Sequence, residues 1–480
     1  MKKIMISFAM ILLSCVFVLT GCGGNKGLKD NPSASATAYG NGGNAIVKGD
    51  YLYYVNGFVD NYTETYTSKT QNEWGSVNFG AIYRTKLSNG QVVKDKKGFL
   101  EKTEVVVPRL VGFENGKFYI VGDQIYYSTP LMREDASGKV RNDFIQFNKV
   151  NIDGTKNSAF YVAESQIDTA NWTVVNYDGK DYLLLVETTE ADTNVIKSVD
   201  IEKKEVRVLG ENIVSWAFPS QNNLDKANEN GYYYNQYVYF TRAIVDNDNI
   251  SDSGNVIVKA SFVTGETNAY TIKQNTTKTI VGLQNDMLYY SVEQTGKNKD
   301  LYATDVTLNA FNENNMSALT NGGFVSFYVV PNATLTVVAI DEDKNVFLYV
   351  NGNVNKILFD DGKDITILDI DGQNILYIDS ENNIKIKNYV TNAEATSLMT
   401  EDKTYLVNKN KITIANGKVY LFAEYESANG DKNYYLNYIN MSDVEAGTFV
   451  GKFENDHLPK EPDKVTDEMT GEEYTPAWVK

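Results

Sequence analysis

The pattern that decides the fold is Ile46-Val47-Lys48-Gly49-Asp50-Tyr51-Leu52-Tyr53-Tyr54, which recurs as Tyr119-Ile120-Val121-Gly122-Asp123-Gln124-Ile125-Tyr126-Tyr127. Each copy has a short apolar segment, a Gly-Asp turn and a second segment that ends in paired tyrosines. β-Branched and aromatic residues favour strands, and glycine permits the backbone angles of a tight turn. Each copy therefore predicts a β-hairpin.

A third strand follows each hairpin and ends in a turn dipeptide. Residues 81–88 lead into Asn89-Gly90, and residues 147–152 lead into Asp153-Gly154. Both dipeptides favour a strand reversal. Counting the first two, the tyrosine-rich second strand occurs eight times. The later copies lie at Tyr182–Val186, Tyr237–Thr241, Met287–Ser291, Leu335–Ile340, Ile375–Asp379 and Val419–Ala423.

Eight units of about four strands, with almost no helical periodicity, indicate an all-β fold built from repeated sheets. A small sheet cannot bury both of its apolar faces alone, whereas sheets packed face to face in a ring bury them all. We therefore predict a single β-propeller with eight blades. A seven-bladed ring is the alternative, and two separate four-unit bodies are also compatible with the repeat.

The repeat resembles a known family. Paired tyrosines, a loop, the strand Ile82-Tyr83-Arg84 and an Asn/Asp-Gly turn are similar to the propeller repeats of the low-density-lipoprotein-receptor-related class, as found in clostridial-type bacterial surface lipoproteins. The resemblance is clearest in the first two units and in Leu288-Tyr289-Tyr290 with Leu301-Tyr302. It implies a propeller fold. The Tyr-Trp-Thr-Asp signature of the animal receptors is absent, so their partners are not carried over.

The N-terminus has the features of an export signal. Lys2 and Lys3 precede an apolar run from Ile4 to Leu19, which is short for a membrane-spanning helix. Leu19-Thr20-Gly21-Cys22 resembles the lipobox of bacterial lipoproteins. That resemblance implies cleavage before Cys22 and attachment of a lipid, including palmitate, to its thiol. Abundant Asn, Lys, Ile and Tyr indicate an AT-rich genome, so the expected location is the extracellular face of a Gram-positive cell membrane; a Gram-negative host would instead place the protein in the periplasm or on the outer membrane.

These features divide the chain into four predicted regions. Residues 1–21 are the signal peptide, 22–43 the lipidated cysteine with a flexible Gly/Asn/Ser/Ala-rich tether, 44–453 the propeller and 454–480 an acidic mobile tail. Removing residues 1–21 leaves 43 Lys+Arg against 62 Asp+Glu, a formal net charge of -19. Because nucleic acid binding relies on Lys and Arg, we expect no nucleic acid partner. Membrane contact is expected through the lipid anchor alone.

Catalytic motifs are scarce. The only histidine, His457, lies in the predicted tail, so a histidine-activated Ser or Cys nucleophile, a multi-histidine zinc site and the usual thiolate sites are not expected. Acidic runs at 246–252 and 341–345 lack the spacing of an EF-hand, and the second is interpreted as a hairpin turn. We assign no catalytic residue, metal or cofactor. The alternative is a polysaccharide-cleaving enzyme that uses two of the many carboxylates.

The loop from Gly57 to Gly80 is the candidate ligand-binding segment. It carries Tyr62, Tyr66 and Trp74 among Thr, Asn and Gln. Aromatic rings beside amides and hydroxyls suit sugar rings or extended peptides. The other interpretation is that the loop folds over a blade and buries its own rings. The sequence thus predicts a binding or scaffolding module for envelope glycans or surface proteins rather than an enzyme.

Overall fold

A computed structural model gives the structure of the chain as a ring of eight antiparallel sheets. The described residues contain no α-helix, and hence no helix long and apolar enough to cross a membrane. The structure describes residues 27–58, 80–93, 103–134, 140–163, 171–189, 192–219, 236–246, 249–270, 276–284, 287–293, 299–306, 318–320, 322–329, 336–350, 353–357, 359, 365–371, 373–391, 393–398, 405–408, 410–426, 432–440, 465–466 and 473–474.

The first four sheets, here called blades 1 to 4, follow the chain in order. Blade 1 contains β1 (Ala38–Tyr39), β2 (Ala45–Lys48), β3 (Tyr51–Asn56), β4 (Ala81–Ser88), β5 (Gln91–Val92) and β6 (Glu104–Val107). Blade 2 contains β7 (Phe118–Val121), β8 (Gln124–Glu134), β9 (Val140–Asn151) and β10 (Ser158–Val162). Blade 3 contains β11 (Trp172–Tyr177), β12 (Lys180–Thr188), β13 (Asn194–Asp200) and β14 (Glu205–Glu211). Blade 4 contains β15 (Ile213–Ala217), β16 (Tyr237–Asp246), β17 (Asn249–Ser261) and β18 (Thr267–Tyr270).

Blades 5 to 8 continue the series. Blade 5 contains β19 (Thr277–Gln284), β20 (Met287–Glu293) and β21 (Asp300–Asp305). Blade 6 contains β22 (Phe324–Val329), β23 (Thr336–Asp341), β24 (Val346–Val350) and β25 (Asn353–Ile357). Blade 7 contains β26 (Thr366–Asp371), β27 (Asn374–Ile378), β28 (Ile384–Asn388) and β29 (Thr396–Ser397). Blade 8 contains β30 (Tyr405–Leu406), β31 (Thr413–Ala415), β32 (Lys418–Glu426) and β33 (Lys432–Asn440). A separate pair, β34 (Val465–Thr466) and β35 (Glu473–Tyr474), follows.

The eight tyrosine-rich strands of the sequence are the second strands of the blades, except in blades 1 and 8, where a short extra strand precedes them. Within the blades, neighbouring strands pair antiparallel, and the second strand pairs on both sides. In blade 1, for example, Tyr54 of β3 pairs with Ala45 of β2 and with Tyr83 of β4. The strand prediction is therefore confirmed.

Eight apolar clusters lie between the blades and close the ring. Seven of them join consecutive blades along the chain. The eighth joins blade 8 to blade 1 and includes Leu52 and Tyr54 against Tyr420 and Phe422. Because the last sheet packs on the first, the chain forms one ring of eight blades. This excludes the seven-bladed ring and the two separate bodies.

The connections define two faces of the ring. First strands of neighbouring blades contact one another, so they lie nearest the axis. In an antiparallel sheet, the first and third connections lie at one end and the second at the other. We call the end with the Gly49-Asp50 and Gly122-Asp123 turns the turn face. The opposite end, from which residues 57–80 connect β3 to β4, is the loop face.

Residues 27–44, here called the strap, cross the turn face and then run up the channel. Leu28 donates its amide to the Asp153 carbonyl at 3.0 Å, in the turn after β9. The Arg84 guanidinium, fully buried in blade 1, donates to the Lys29 carbonyl at 2.6 Å and to the Asn31 side chain. The Lys48 ammonium donates to the carbonyls of Ala34 and Ala36.

Inside the channel the strap contacts three blades. Ala38 and Tyr39 pair with Lys48 and Val47 of blade 1. The Asn41 side chain makes two hydrogen bonds with the backbone of Ile120 in blade 2, at 2.8 and 3.0 Å. In blade 8, the Thr413 hydroxyl accepts the amide hydrogen of Asn44 at 2.9 Å. Part of the segment that the sequence assigns to a flexible tether thus packs on the propeller, mainly through hydrogen bonds rather than apolar side chains.

Candidate functional site at the loop-face mouth of the channel

The predicted site residues lie outside the described part of the chain. Tyr62, Tyr66 and Trp74 belong to residues 59–79, and Cys22 precedes residue 27. The described ends of the predicted binding loop are Phe58 and Gly80, which lie on the loop face of blade 1. The candidate site is therefore built from the base of this loop and the channel mouth beside it.

Backbone hydrogen bonds close the loop base. Gly80 donates to the carbonyl of Asn56, and the Gly80 carbonyl accepts from Val111 at 2.7 Å and Gly112 at 2.8 Å. Gly80 has a φ of +67°, and a Cβ there would lie 2.5 Å from Leu110 Cδ1. Only glycine fits this backbone without strain. The two ends of the loop are thus held together on the segment that links blade 1 to blade 2.

Lys411 ties blade 8 to the same place. Its side chain is 2% exposed, and its ammonium donates to the carbonyls of Phe113 at 2.8 Å and Gly116 at 3.2 Å. The same ammonium lies 4.8 Å from the ring centroid of Phe58, and that ring packs 5.7 Å from Phe422. Carbonyl oxygens and an aromatic face together satisfy a buried cation. The loop base is therefore fixed on blade 1, on the link to blade 2 and on blade 8.

Two buried amides lie beside the loop base. Asn44 and Asn56 are each 1% exposed and sit at the loop-face ends of β2 and β3. Among the described residues, neither side-chain atom of Asn44 has a hydrogen-bond partner, nor has Nδ2 of Asn56. Buried polar atoms are nearly always hydrogen-bonded to protein, water or ligand. Water or a ligand can therefore complete the hydrogen bonding of these amides beside the loop base.

A buried aromatic cluster lies between blades 2 and 3, near the loop-face ends of β7 and β11. The Lys117 ammonium lies 5.4 Å from the ring centroid of Tyr119 and 5.0 Å from that of Trp172. The two rings are 5.1 Å apart in an edge arrangement, and the Tyr119 hydroxyl donates to the Trp172 carbonyl at 3.0 Å. Burial raises the pKa of Tyr119, so its phenol stays protonated. Trp172 is 1% and Tyr119 5% exposed, so this cluster belongs to the core between the two blades.

Two further polar clusters lie between blades 2 and 3 and hold the two blades together through hydrogen bonds. In the first, Asp181 accepts from the Tyr126 phenol and from Asn176 at 2.7 Å, and burial raises the pKa of the Asp181 carboxyl. In the second, the Glu187 carboxylate accepts from the Tyr161 phenol and lies 3.3 Å from the Lys197 ammonium. Both clusters bond neighbouring blades to each other. Within the described residues, no His, Cys, Asp and Glu group of three or more is arranged to hold a metal ion.

The acidic run at 341–345 forms the predicted hairpin. β23 ends at Asp341 and β24 begins at Val346. The Asp341 carboxylate accepts from the backbone and side-chain amides of Asn345, both at 2.7 Å. Burial raises the pKa of Asp341, but these hydrogen bonds outweigh it and leave the pKa below its usual value. The interpretation as a turn is confirmed.

The sequence did not reveal Asn44, Asn56, Lys117 or Lys411 as site residues. Ring closure brings Lys411 to Gly116, which lies 295 positions away in the chain. A usable signal was present, however, because Lys411 stands just before the apolar alternation of Ile412 and Ile414. A lysine entering an otherwise buried strand requires a partner for its charge.

No family model matches the chain, and no curated protein matches it. Among solved structures, puromycin hydrolase is 12% identical with a TM-score of 0.43, and the match covers 74% of this chain and 57% of that one. The β-propeller domain of the trilobed protease from Pyrococcus furiosus is 13% identical with a TM-score of 0.40, covering 68% and 95%. The protein lmo1340 from Listeria monocytogenes EGD-e is 10% identical with a TM-score of 0.37, covering 74% and 90%.

This chain spans little more than half the length of the hydrolase it is similar to. The identities and TM-scores assign it to none of these families. The resemblance to the low-density-lipoprotein-receptor-related repeats also stays a prediction, since no family model matches. The blade count follows from the sheets and clusters of this chain itself.

Proposed function

We propose that this protein is a lipid-anchored β-propeller on the extracellular face of a Gram-positive cell membrane, where it binds envelope glycans through the loop face of blade 1. The observation that carries the proposal is the loop base. The described ends of the 57–80 loop stand on a base that is held by Asn56 of blade 1, Gly112 of the link to blade 2 and Lys411 of blade 8. Buried amides without described partners lie beside it.

A rigid base lowers the entropy cost of presenting a binding loop. Trp74, Tyr62 and Tyr66 supply rings that can stack on sugars, and neighbouring Thr, Asn and Gln supply hydrogen bonds. The amides of Asn44 and Asn56 would take hydroxyl groups that reach below the loop. A surface protein in place of a glycan is the other outcome that the test below separates.

The anchor is the second part of the proposal. Cys22 follows Leu-Thr-Gly at the end of an apolar run, which supports cleavage before Cys22 and lipidation of its thiol. Two acyl chains hold a protein stably on a membrane, whereas a single chain binds only marginally. Mass spectrometry of the N-terminal peptide from the membrane fraction tests this part directly. An unmodified Cys22 in that fraction would contradict it.

The binding part is tested with residues 22–480 carrying Cys22→Ser, on an array of cell-wall and host glycans with product analysis of the same samples. Trp74→Ala should weaken glycan binding about tenfold, because a stacked ring contributes roughly 1–2 kcal/mol. Trp478→Ala, in the C-terminal segment, is the matched control and should bind normally. If the protein binds no glycan but binds a surface protein, its ligand is a protein. If the glycan is cleaved, the protein is the carboxylate-dependent enzyme instead.

Asn44→Ala separates a ligand contact from a structural defect. Removing a buried amide without partners relieves a desolvation cost of roughly 1–3 kcal/mol, partly offset by the small cavity that alanine leaves. If the amide contacts ligand, binding falls although the fold is at least as stable as before. If binding is unchanged in a folded variant, the polar position under the loop is not part of the site.

A further inference from the structure

The strap leaves the ring at a defined place. Leu28 is bonded to the Asp153 carbonyl, in the turn that follows β9 of blade 2. Gly27 lies against the Asp153 side chain, since a Cβ at Gly27 would clash with that carboxylate. Asp153 belongs to the connection between the third and fourth strands of its blade, which lies on the turn face. The described chain therefore starts at the turn face.

The strap cannot act as a loose tether while its contacts hold. Arg84 is fully buried and donates to Lys29 and Asn31, two and four residues after Gly27. Lys48 is 1% exposed and holds the Ala34 and Ala36 carbonyls beside the Gly49 turn. Four separate hydrogen bonds thus fix the strap on the turn face before it enters the channel.

The remaining distance to the anchor is short. Five peptide links separate Cys22 from Gly27, and they span at most about 18 Å in any conformation. The headgroup layer on one side of a bilayer occupies roughly 5–8 Å of that length. β3 has six residues and so extends about 20 Å from the turn face to the loop base of blade 1. The loop face of blade 1 therefore lies beyond the roughly 10–13 Å that remain to the anchor.

We propose that the short link to the lipid anchor holds the turn face around blades 1 to 3 towards the phospholipid headgroups of the membrane that holds Cys22, and that the loop face points outward. The inference rests on the proposed lipidation of Cys22. The turn face then lies next to the membrane, and the loop face is free to bind the ligand. The strap sets the orientation, because it shortens the N-terminal tether to a link of five peptide bonds.

Two ends of one strand provide the test. Lys180 lies at the turn-face end of β12 and Thr188 at its loop-face end, about 26 Å apart along the strand. Both are exposed, so single cysteines there can carry a fluorophore. Cys15 lies in the removed segment and lipidation consumes the Cys22 thiol, so the introduced cysteine is the only free thiol of the mature chain.

The full lipidated protein is placed in phosphatidylcholine–phosphatidylglycerol vesicles that contain nitroxide-headgroup lipid. Quenching should be several-fold stronger at Lys180→Cys than at Thr188→Cys. A variant with a twenty-residue Gly-Ser insert between Cys22 and Gly27 should lose that difference, because its link reaches about 25 Å on average and lets the ring turn. A difference that persisted in the insert variant would show that another contact orients the ring and would overturn the role of the strap.

The two proposals fail in distinguishable ways. Absence of lipid on Cys22, or failure of the protein to float with vesicles, refutes the anchor. Flotation with equal quenching at the two positions, or stronger quenching at Thr188→Cys, leaves the anchor intact and overturns the orientation.

Discussion

Replacing Arg84 by methionine should release the strap while leaving the blades folded. The Arg84 guanidinium bonds the strap at the Lys29 carbonyl and at Asn31, and it bonds Glu104 of the same blade at 2.7 Å. It also lies 4.8 Å from the ring centroid of Tyr51. Methionine keeps the apolar length of the side chain and removes every one of these donors.

The magnitude follows from the two bonds to the strap. A hydrogen bond to a charged group contributes about 1.5–3 kcal/mol, and water replaces part of that for the released groups. Taking the lower value for each bond gives roughly 3 kcal/mol for opening the strap. Since 1.4 kcal/mol corresponds to a factor of ten, the strap amides should exchange about a hundredfold faster. Glu104 is 38% exposed, so water can solvate its carboxylate after the change.

The assay is hydrogen exchange with mass spectrometry on peptides that cover Leu28 to Asn44. Arg207→Met is the matched control, because Arg207 pairs at 2.8 Å with the half-exposed Glu205 on blade 3 and does not bond the strap. Arg84→Lys should recover only part of the protection, since an ammonium cannot reproduce the guanidinium fork. Unchanged strap exchange in Arg84→Met would refute the reasoning. So would an equal increase in blades 5 to 7, which would indicate global destabilisation instead.

Three further changes test the strap, a turn and the ring closure. Gly42→Ala should lower the melting temperature more than Gly417→Ala does. Both glycines have positive φ, but only a Cβ at residue 42 would meet another atom, the Tyr119 hydroxyl, at 2.7 Å. Equal melting shifts would contradict a tight channel. Burial raises the pKa of Asp379, but bonds from Asn383, Lys385 and Glu381 outweigh it and leave the pKa below 3.8. The stabilisation that the Asp379 carboxylate provides is therefore complete above pH 3.8, the pKa of a free aspartate. It is lost as the pH falls through the lower pKa that Asp379 has in the folded protein. Asp379→Asn should cost about 1–2 kcal/mol in urea unfolding at pH 7 and flatten the acid limb, and an unchanged acid limb would refute the assignment. Phe422→Ala should cost roughly 3–5 kcal/mol and speed exchange in blades 1 and 8 first, whereas uniform loss around the ring would argue against a local closure.

The repeat could be predicted because strand alternation and turn chemistry are local. Each tyrosine-rich strand is preceded or followed by Gly, Asn or Asp, and positive φ occurs where those residues predict turns, as at Asn89, Gly90 and Gly122. Such signals need only a few neighbouring residues. The blade number followed from counting them. Closure of one ring could only be settled by the packing of Phe422 and Tyr438 on Leu52, across almost the whole chain.

The strap and the loop base could not be predicted, because their contacts join residues that are far apart in the chain. The strap has few apolar side chains, and its contacts are backbone groups, Asn41 and partners such as Arg84 and Lys48 on the ring. Composition therefore made it look like a flexible linker. Asn44 and Thr413 are likewise brought together only by ring closure. Local patterns contain no information about such distant hydrogen bonds, so a polar segment that docks is indistinguishable from one that does not.

The strap also links the proposed lipid anchor at Cys22 to the closure of the ring. Blade 8 is built entirely from the C-terminal part of the described chain and blade 1 from the N-terminal part, so no strand is exchanged between them. Their apolar cluster is supplemented by the strap, which bonds Thr413 of blade 8 and Ile120 of blade 2 inside the channel. A pull on Cys22 would load the strap from its outer end, and Leu28 and Arg84 would bear it before the channel contacts did. Arg84 would thus shield the closure from forces on the proposed anchor, and in Arg84→Met the same pull would reach Asn41 and Asn44 directly.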